Sequence, residues 1–141
     1  MKLELAQKIV AGTLKAGREQ SFKPLAVVVL DERGALKAAA AEDGTSLKRA
    51  EIAIAKAHGA LAMGLGSRTL FTRSQQQPHF IAAVTHAVGG MLVPVPGGVL
   101  IKDDADELIG AVGVSGDTSD NDEIAALAGI GAAGCKGDPG A

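Results

Sequence analysis

The stretch Gly97–Glu123, GGVLIKDDADELIGAVGVSGDTSDNDE, constrains the fold more than any other part of the chain. An apolar strand at Val99–Lys102 is followed by a charged turn at Asp103–Glu107 and a glycine-spaced strand at Leu108–Ser115. An acidic loop then leads into a last helix. An isolated hairpin is marginal in water, so two such strands cannot hide their apolar side chains alone. Other elements must cover both faces, and the rest of the sequence carries helical patterns that can do this.

From the start of the chain, Leu3–Gln20 puts Leu3, Ala6, Ile9, Val10, Thr13 and Leu14 on one helical side, with most charges outside it. Pro24 stops that helix. Leu25–Leu30 (LAVVVL) is apolar on both faces and reads as a central strand. A turn at Asp31–Gly34 returns the chain as an antiparallel strand, Leu36–Ala41. Ser46 is the expected N-cap of a helix over Leu47–Met63, whose apolar stripe Ile54, Ala57, Leu61 and Leu65 includes His58. Short helices are expected at Arg68–Gln76 and Pro78–Val88. A short strand is expected at Met91–Val95, placed at a sheet edge by Pro94. Asp120–Ala133 is the last helix, and residues 135–141, rich in Gly and Pro, read as a flexible tail. Hairpin-like connections join the strands, and helices lie between strand blocks. The pattern is α+β, with an antiparallel sheet of about five strands in a single domain over residues 1–134.

Composition narrows the function classes. The chain is 47% hydrophobic but only 2% aromatic, with no Trp and no Tyr. Its core must be aliphatic and glycine-lined, and burial between subunits would offset the thin side chains of a lone protomer. A net charge of −2 leaves no footprint for nucleic acid, and stacking platforms for single strands are missing. No apolar run approaches a membrane span, and acid within Met1–Val10 argues against a signal-peptide core. The single Cys135 excludes an internal disulfide and lacks the adjacent base that a nucleophile needs. These features place the chain in the cytoplasm.

Gly129–Gly134 spells G-x-G-x-x-G, but a helix precedes it, and the acidic residue of the dinucleotide fingerprint, about twenty positions on, has no counterpart. No nicotinamide cofactor is expected. The acidic loop Asp117–Glu123 reads first as a cap: Thr118, Ser119 or Asp120 caps the helix, and acids in its first turn favour the dipole. The same helix start offers N–H groups for a ligand carboxylate. His79 and His86 lie seven residues apart, roughly 10 Å along one helix, too far to share a metal ion. His58, on an apolar stripe, is the histidine best placed to contact iron or a substrate. Lys56 and Arg68 flank a small-residue region and suit an anionic ligand, against the plain reading of solvated helix edges.

The helix Arg49-Ala-Glu-Ile-Ala-Ile-Ala-Lys-Ala-His58, the turn Gly97-Gly-Val-Leu-Ile, and Ile109-Gly-Ala-Val-Gly-Val-Ser-Gly116 with Asp122-Glu123 resemble the GlcG/HbpS family of haem-degrading or haem-binding domains. The likeness spans about residue 3 to residue 134. It implies a profilin-like sandwich, a five-stranded antiparallel sheet between helices, assembled into tetramers or octamers. It also implies, for some members, haem binding and slow oxidative haem breakdown. Some haem-binding members take an axial histidine from the first helix; Leu3–Gln20 has none.

Two readings follow. In the first, an oligomer holds haem in an interfacial pocket. His58 is the iron contact, and Lys56, Arg68, Gly97, Gly98 and Thr118 lie about the ligand. In the second, a small-molecule enzyme or accessory protein of isomerase or tautomerase type acts on a carboxylate metabolite in a catabolic pathway. Lys56 or Arg68 would then hold the carboxylate while Asp117, Asp122 or Glu123 moves protons.

Overall fold

The computed structural model describes residues 1–141. Its elements run α1 (Leu3–Glu19), β1 (Ala26–Asp31), β2 (Leu36–Ala41), α2 (Arg49–Met63), α3 (Ser67–Gln76), α4 (Pro78–Ala87), β3 (Gly98–Lys102), β4 (Leu108–Ser115), α5 (Ser119–Ala132) and β5 (Lys136–Asp138). The strands form one sheet in the order β2-β1-β4-β3-β5, antiparallel at every pairing. The expected α+β class and five-stranded antiparallel sheet are both present.

Period-two alternation decides which side chain goes where. Val27 and Val29 of β1, Val112 and Val114 of β4, and Val99 and Ile101 of β3 meet Ile9 of α1 and Ala125, Ala126 and Ile130 of α5. The alternate residues Val28, Leu30, Leu100 and Ala111 meet Ala53, Ala57 and Ala60 of α2. The sheet is therefore the middle of three layers. A smaller cluster, Leu70, Ile81 and Leu92, joins α3 and α4 to the segment that follows them.

α2 sits unusually close to the sheet. A methyl group at Gly113 would run into the Ala53 carbonyl, and one at Gly98 into the Lys56 carbonyl. The helix therefore buries its smallest residues, Ala53, Ala57, Gly59 and Ala60, together with Lys56. Ile54, Leu61 and Leu65, expected as the buried stripe, are only half-buried. Glycine-lined strands favour a small-residue helix face, and that rotates the longer side chains outward.

Two segments exchange roles relative to expectation. Met91–Val95 is not a strand: Pro94 and Pro96 cannot donate to a ladder, and buried Leu92 packs on Gly59 of α2 instead. The fifth strand comes from residues 135–141, expected to be a flexible tail. Lys136, Gly137 and Asp138 pair with Lys102, Ile101 and Leu100. Gly137 makes this possible, since a side chain there would meet Leu127 of α5. Beyond the strand, the Arg68 N–H donates to the Pro139 carbonyl at 3.1 Å and the Ala141 N–H to Thr69 Oγ1 at 2.8 Å. α2 also starts later than expected, at Arg49, and the Ser46 hydroxyl accepts from Arg49 Nε at 3.1 Å rather than from a backbone cap donor.

Candidate functional site

The acidic loop between β4 and α5 folds as a dense capping knot. Thr118 is the N-cap, its hydroxyl accepting from the Asn121 N–H at 3.2 Å. Asp117 accepts from the Lys23 N–H at 2.6 Å, the Thr118 N–H at 2.7 Å and Asn121 Nδ2 at 2.8 Å. These donors, the Lys23 amide foremost, hold its carboxyl below the usual aspartate range.

One turn into α5, Asp122 reaches across the end of β4 to Lys56. Lys56 Nζ donates to Asp122 Oδ2 at 3.0 Å and to the Val114 carbonyl at 2.9 Å, and both side chains are sealed from solvent. The second Asp122 oxygen accepts the Asp117 N–H at 2.9 Å. Burial pushes the Lys56 ammonium down and the Asp122 carboxyl up, and their mutual attraction opposes both shifts. Beside this pair, Arg68 Nε donates to both Glu123 oxygens at 3.1 and 3.0 Å, and its Nη2 donates to Asp120 at 2.6 Å. The Glu123 bond is the main reason the guanidinium is held above its ordinary value.

The structure thus gathers Lys56, Arg68, Gly97, Gly98, Asp117, Thr118, Asp122 and Glu123 at one end of the sheet. Most of these groups face one another. Gly97, at φ 120°, lies against Lys56 Nζ, while the Gly98 N–H donates to buried Ser67 Oγ at 2.7 Å. None of these eight residues lines any of the three clefts in the molecule.

His58 stands apart. It is half-buried on the outward side of α2, between Ile54 and Leu61 in the helical stripe. Its Nδ1 lies 2.8 Å from the Met91 carbonyl oxygen. A carbonyl only accepts, so Nδ1 carries the proton and Nε2 of the neutral ring keeps a lone pair. The Met91 side chain beside it is 41% exposed, and Gly34 of the β1–β2 turn leaves the ring edge uncrowded. His79 and His86 are exposed on α4, and no group of three or more His, Cys, Asp or Glu side chains is placed to hold a metal ion. Burial raises the Cys135 thiol. No helix is long and apolar enough to cross a membrane.

Ser67, Arg49 and Ser115 also hold this end of the molecule together, although none of them stands among the candidate site residues read from the sequence. They come from three separate segments, and only the fold brings them near the loop.

Three layers around a five-stranded antiparallel sheet make a fold shared with several solved structures. The crystal structure of a PduOC:haem complex matches at 22% identity with a TM-score of 0.83, covering 94% of each chain. Klebsiella pneumoniae protein ORFY matches at 22% identity and 0.84, covering 94% of this chain and 90% of that one. The crystal structure of HbpS matches at 24% identity and 0.79, covering 93% and 88%. No curated protein sequence matches the chain. The profile of the family described as haem degrading protein HbpS-like matches residues 1–131, and the chain belongs to that family.

Proposed function

We propose that this protein binds haem, with His58 Nε2 as the iron ligand and a second copy of the chain covering the porphyrin face turned away from α2. The observation that carries the reading is the Nδ1–Met91 carbonyl bond, which fixes the tautomer and leaves the other nitrogen as the donor. Metal-bound imidazoles characteristically give their second N–H to a carbonyl or carboxylate in this way. Half-buried Ile54 and Leu61 and the exposed Met91 side chain supply apolar surface beside it for a flat ring. Family membership and the fold shared with a haem complex support the same ligand.

Haem held there would supply an iron at which dioxygen, with electrons from an external reductant, could open the porphyrin slowly. The chain would hold the iron through His58 Nε2, orient that imidazole through the Met91 carbonyl and exclude water from one ring face. The Lys56–Asp122 pair ties α2 to α5 and the Arg68–Glu123 pair ties α3 to α5, both away from His58.

Haem titration of the wild type, His58→Ala, His79→Ala and His86→Ala, followed by absorption, tests this. A shifted Soret band is expected for all but His58→Ala. A wild-type Soret position in His58→Ala, or no shift in any protein, removes His58 as ligand.

A further inference from the structure

A second site lies on the other side of α2. The β2–α2 loop, the start of α2 and the β4–α5 turn enclose a polar cleft of about 180 Å³, lined among others by Lys23, Thr45, Ser46, Arg49 and Gly116 and by no carboxylate. Arg49 is its centre. Arg18, Arg33 and Arg68 are each paired with an acid, and Arg73 lies over the Phe80 ring. Arg49 has no acidic partner. It is half-buried, and its Nε donates to Ser46 Oγ at 3.1 Å and its Nη1 to Ser115 Oγ at 3.4 Å.

A guanidinium carries five N–H donors in a rigid fork. Two neutral hydroxyls aim this one without neutralising it, and its remaining donors suit a bidentate oxyanion. Lys23 adds an exposed ammonium, which also attracts the neighbouring Asp117 carboxylate. Of the acids nearby, Glu42 is bound to Arg18 at 2.9 Å and to the Leu25 N–H at 2.8 Å, Asp117 accepts from three N–H donors, and Asp43 beside Gly44 is exposed.

We propose that this cleft binds a small oxyanion, the carboxylate or phosphate end of a metabolite, independently of His58. Nine residues separate Arg49 from His58. At about 100° and 1.5 Å per residue they fall on opposite sides of α2 and roughly 13 Å apart along its axis. A group ligated at His58 therefore does not place its own carboxylates on Arg49.

Calorimetric titration with inorganic phosphate and, separately, with acetate, in a low-salt zwitterionic buffer, tests the proposal. At least one anion should bind the wild type, with affinity falling tenfold or more in Arg49→Met and partly restored in Arg49→Lys. His58→Ala should bind the anion as the wild type does, and saturating anion should leave haem titration unchanged. Which of the two anions binds decides between a phosphate and a carboxylate ligand. Should Arg49→Met fail to fold, Lys23→Gln reads the same cleft: several-fold weaker binding is expected, and unchanged binding counts against the proposal. No binding of either anion to the wild type, or wild-type affinity in the folded Arg49→Met protein, overturns it. Competition between the anion and haem overturns the independence of the two sites and makes the cleft a propionate subsite.

Discussion

Lys56 Nζ lies 3.0 Å from Asp122 Oδ2, and neither side chain is more than 3% exposed. The pair joins the middle of α2 to the first turn of α5 across the end of β4. It leaves the pair no face toward solvent, so its charges anchor the fold. Removing one partner strands the other charge in a buried place, at a cost of about 3–5 kcal/mol. Lys56→Met and Asp122→Asn should each lose stability of that order in urea unfolding. Lys56→Met/Asp122→Leu should lose clearly less than the two single losses added together, because an apolar pair has no stranded charge.

Close approach between α2 and the sheet predicts a steric result. Gly113→Ala drives a methyl group into the Ala53 carbonyl and must push α2 outward. Overpacking of this kind costs about 1–3 kcal/mol. The unfolding midpoint in urea should fall accordingly, whereas Gly131→Ala, where nothing lies within 4 Å, should be neutral or stabilising.

Asp117 sets an acid-side dependence. Its folded value is lowered, so its contribution is fully present above its unfolded value of about 3.9 and is lost as pH falls through the lower folded value. Asp117→Asn should cost about 1–2 kcal/mol at neutral pH, since one acceptor oxygen becomes a donor facing other donors. Thermal melts across the acid range should show the gap between the wild type and the variant closing below about pH 4.

Residues 136–138 pair with β3, so a chain ending at Cys135 should exchange the backbone amides of β3 faster and melt at lower temperature. Loss of these hydrogen bonds is worth roughly 1–3 kcal/mol. Unchanged exchange in β3 would mean that β5 contributes nothing to the sheet.

Much of this fold is readable from local pattern. LAVVVL, apolar on both faces, is the central β1, and the glycines of Ile109–Gly116 mark the strand that α2 approaches. Thr118 was one of three cap candidates, and geometry alone picks it out. Gly137 and Pro139 give residues 135–141 the composition of a flexible tail, yet the small size of Gly137 is what fits the strand beneath Leu127. The buried face of α2 was rotated for a related reason. Hydropathy favours Ile54 and Leu61, while the glycine-lined sheet accepts only alanines and the extended stem of Lys56. The Lys56–Asp122 pairing spans 66 positions, and no local spacing encodes it.

If haem is held as proposed, its iron depends on the free nitrogen of His58. His58→Gly, titrated with haem with and without added imidazole, tests it most directly. The Soret shift should be lost in the variant and restored by imidazole entering the vacated position. A wild-type Soret band in His58→Gly without imidazole would contradict it.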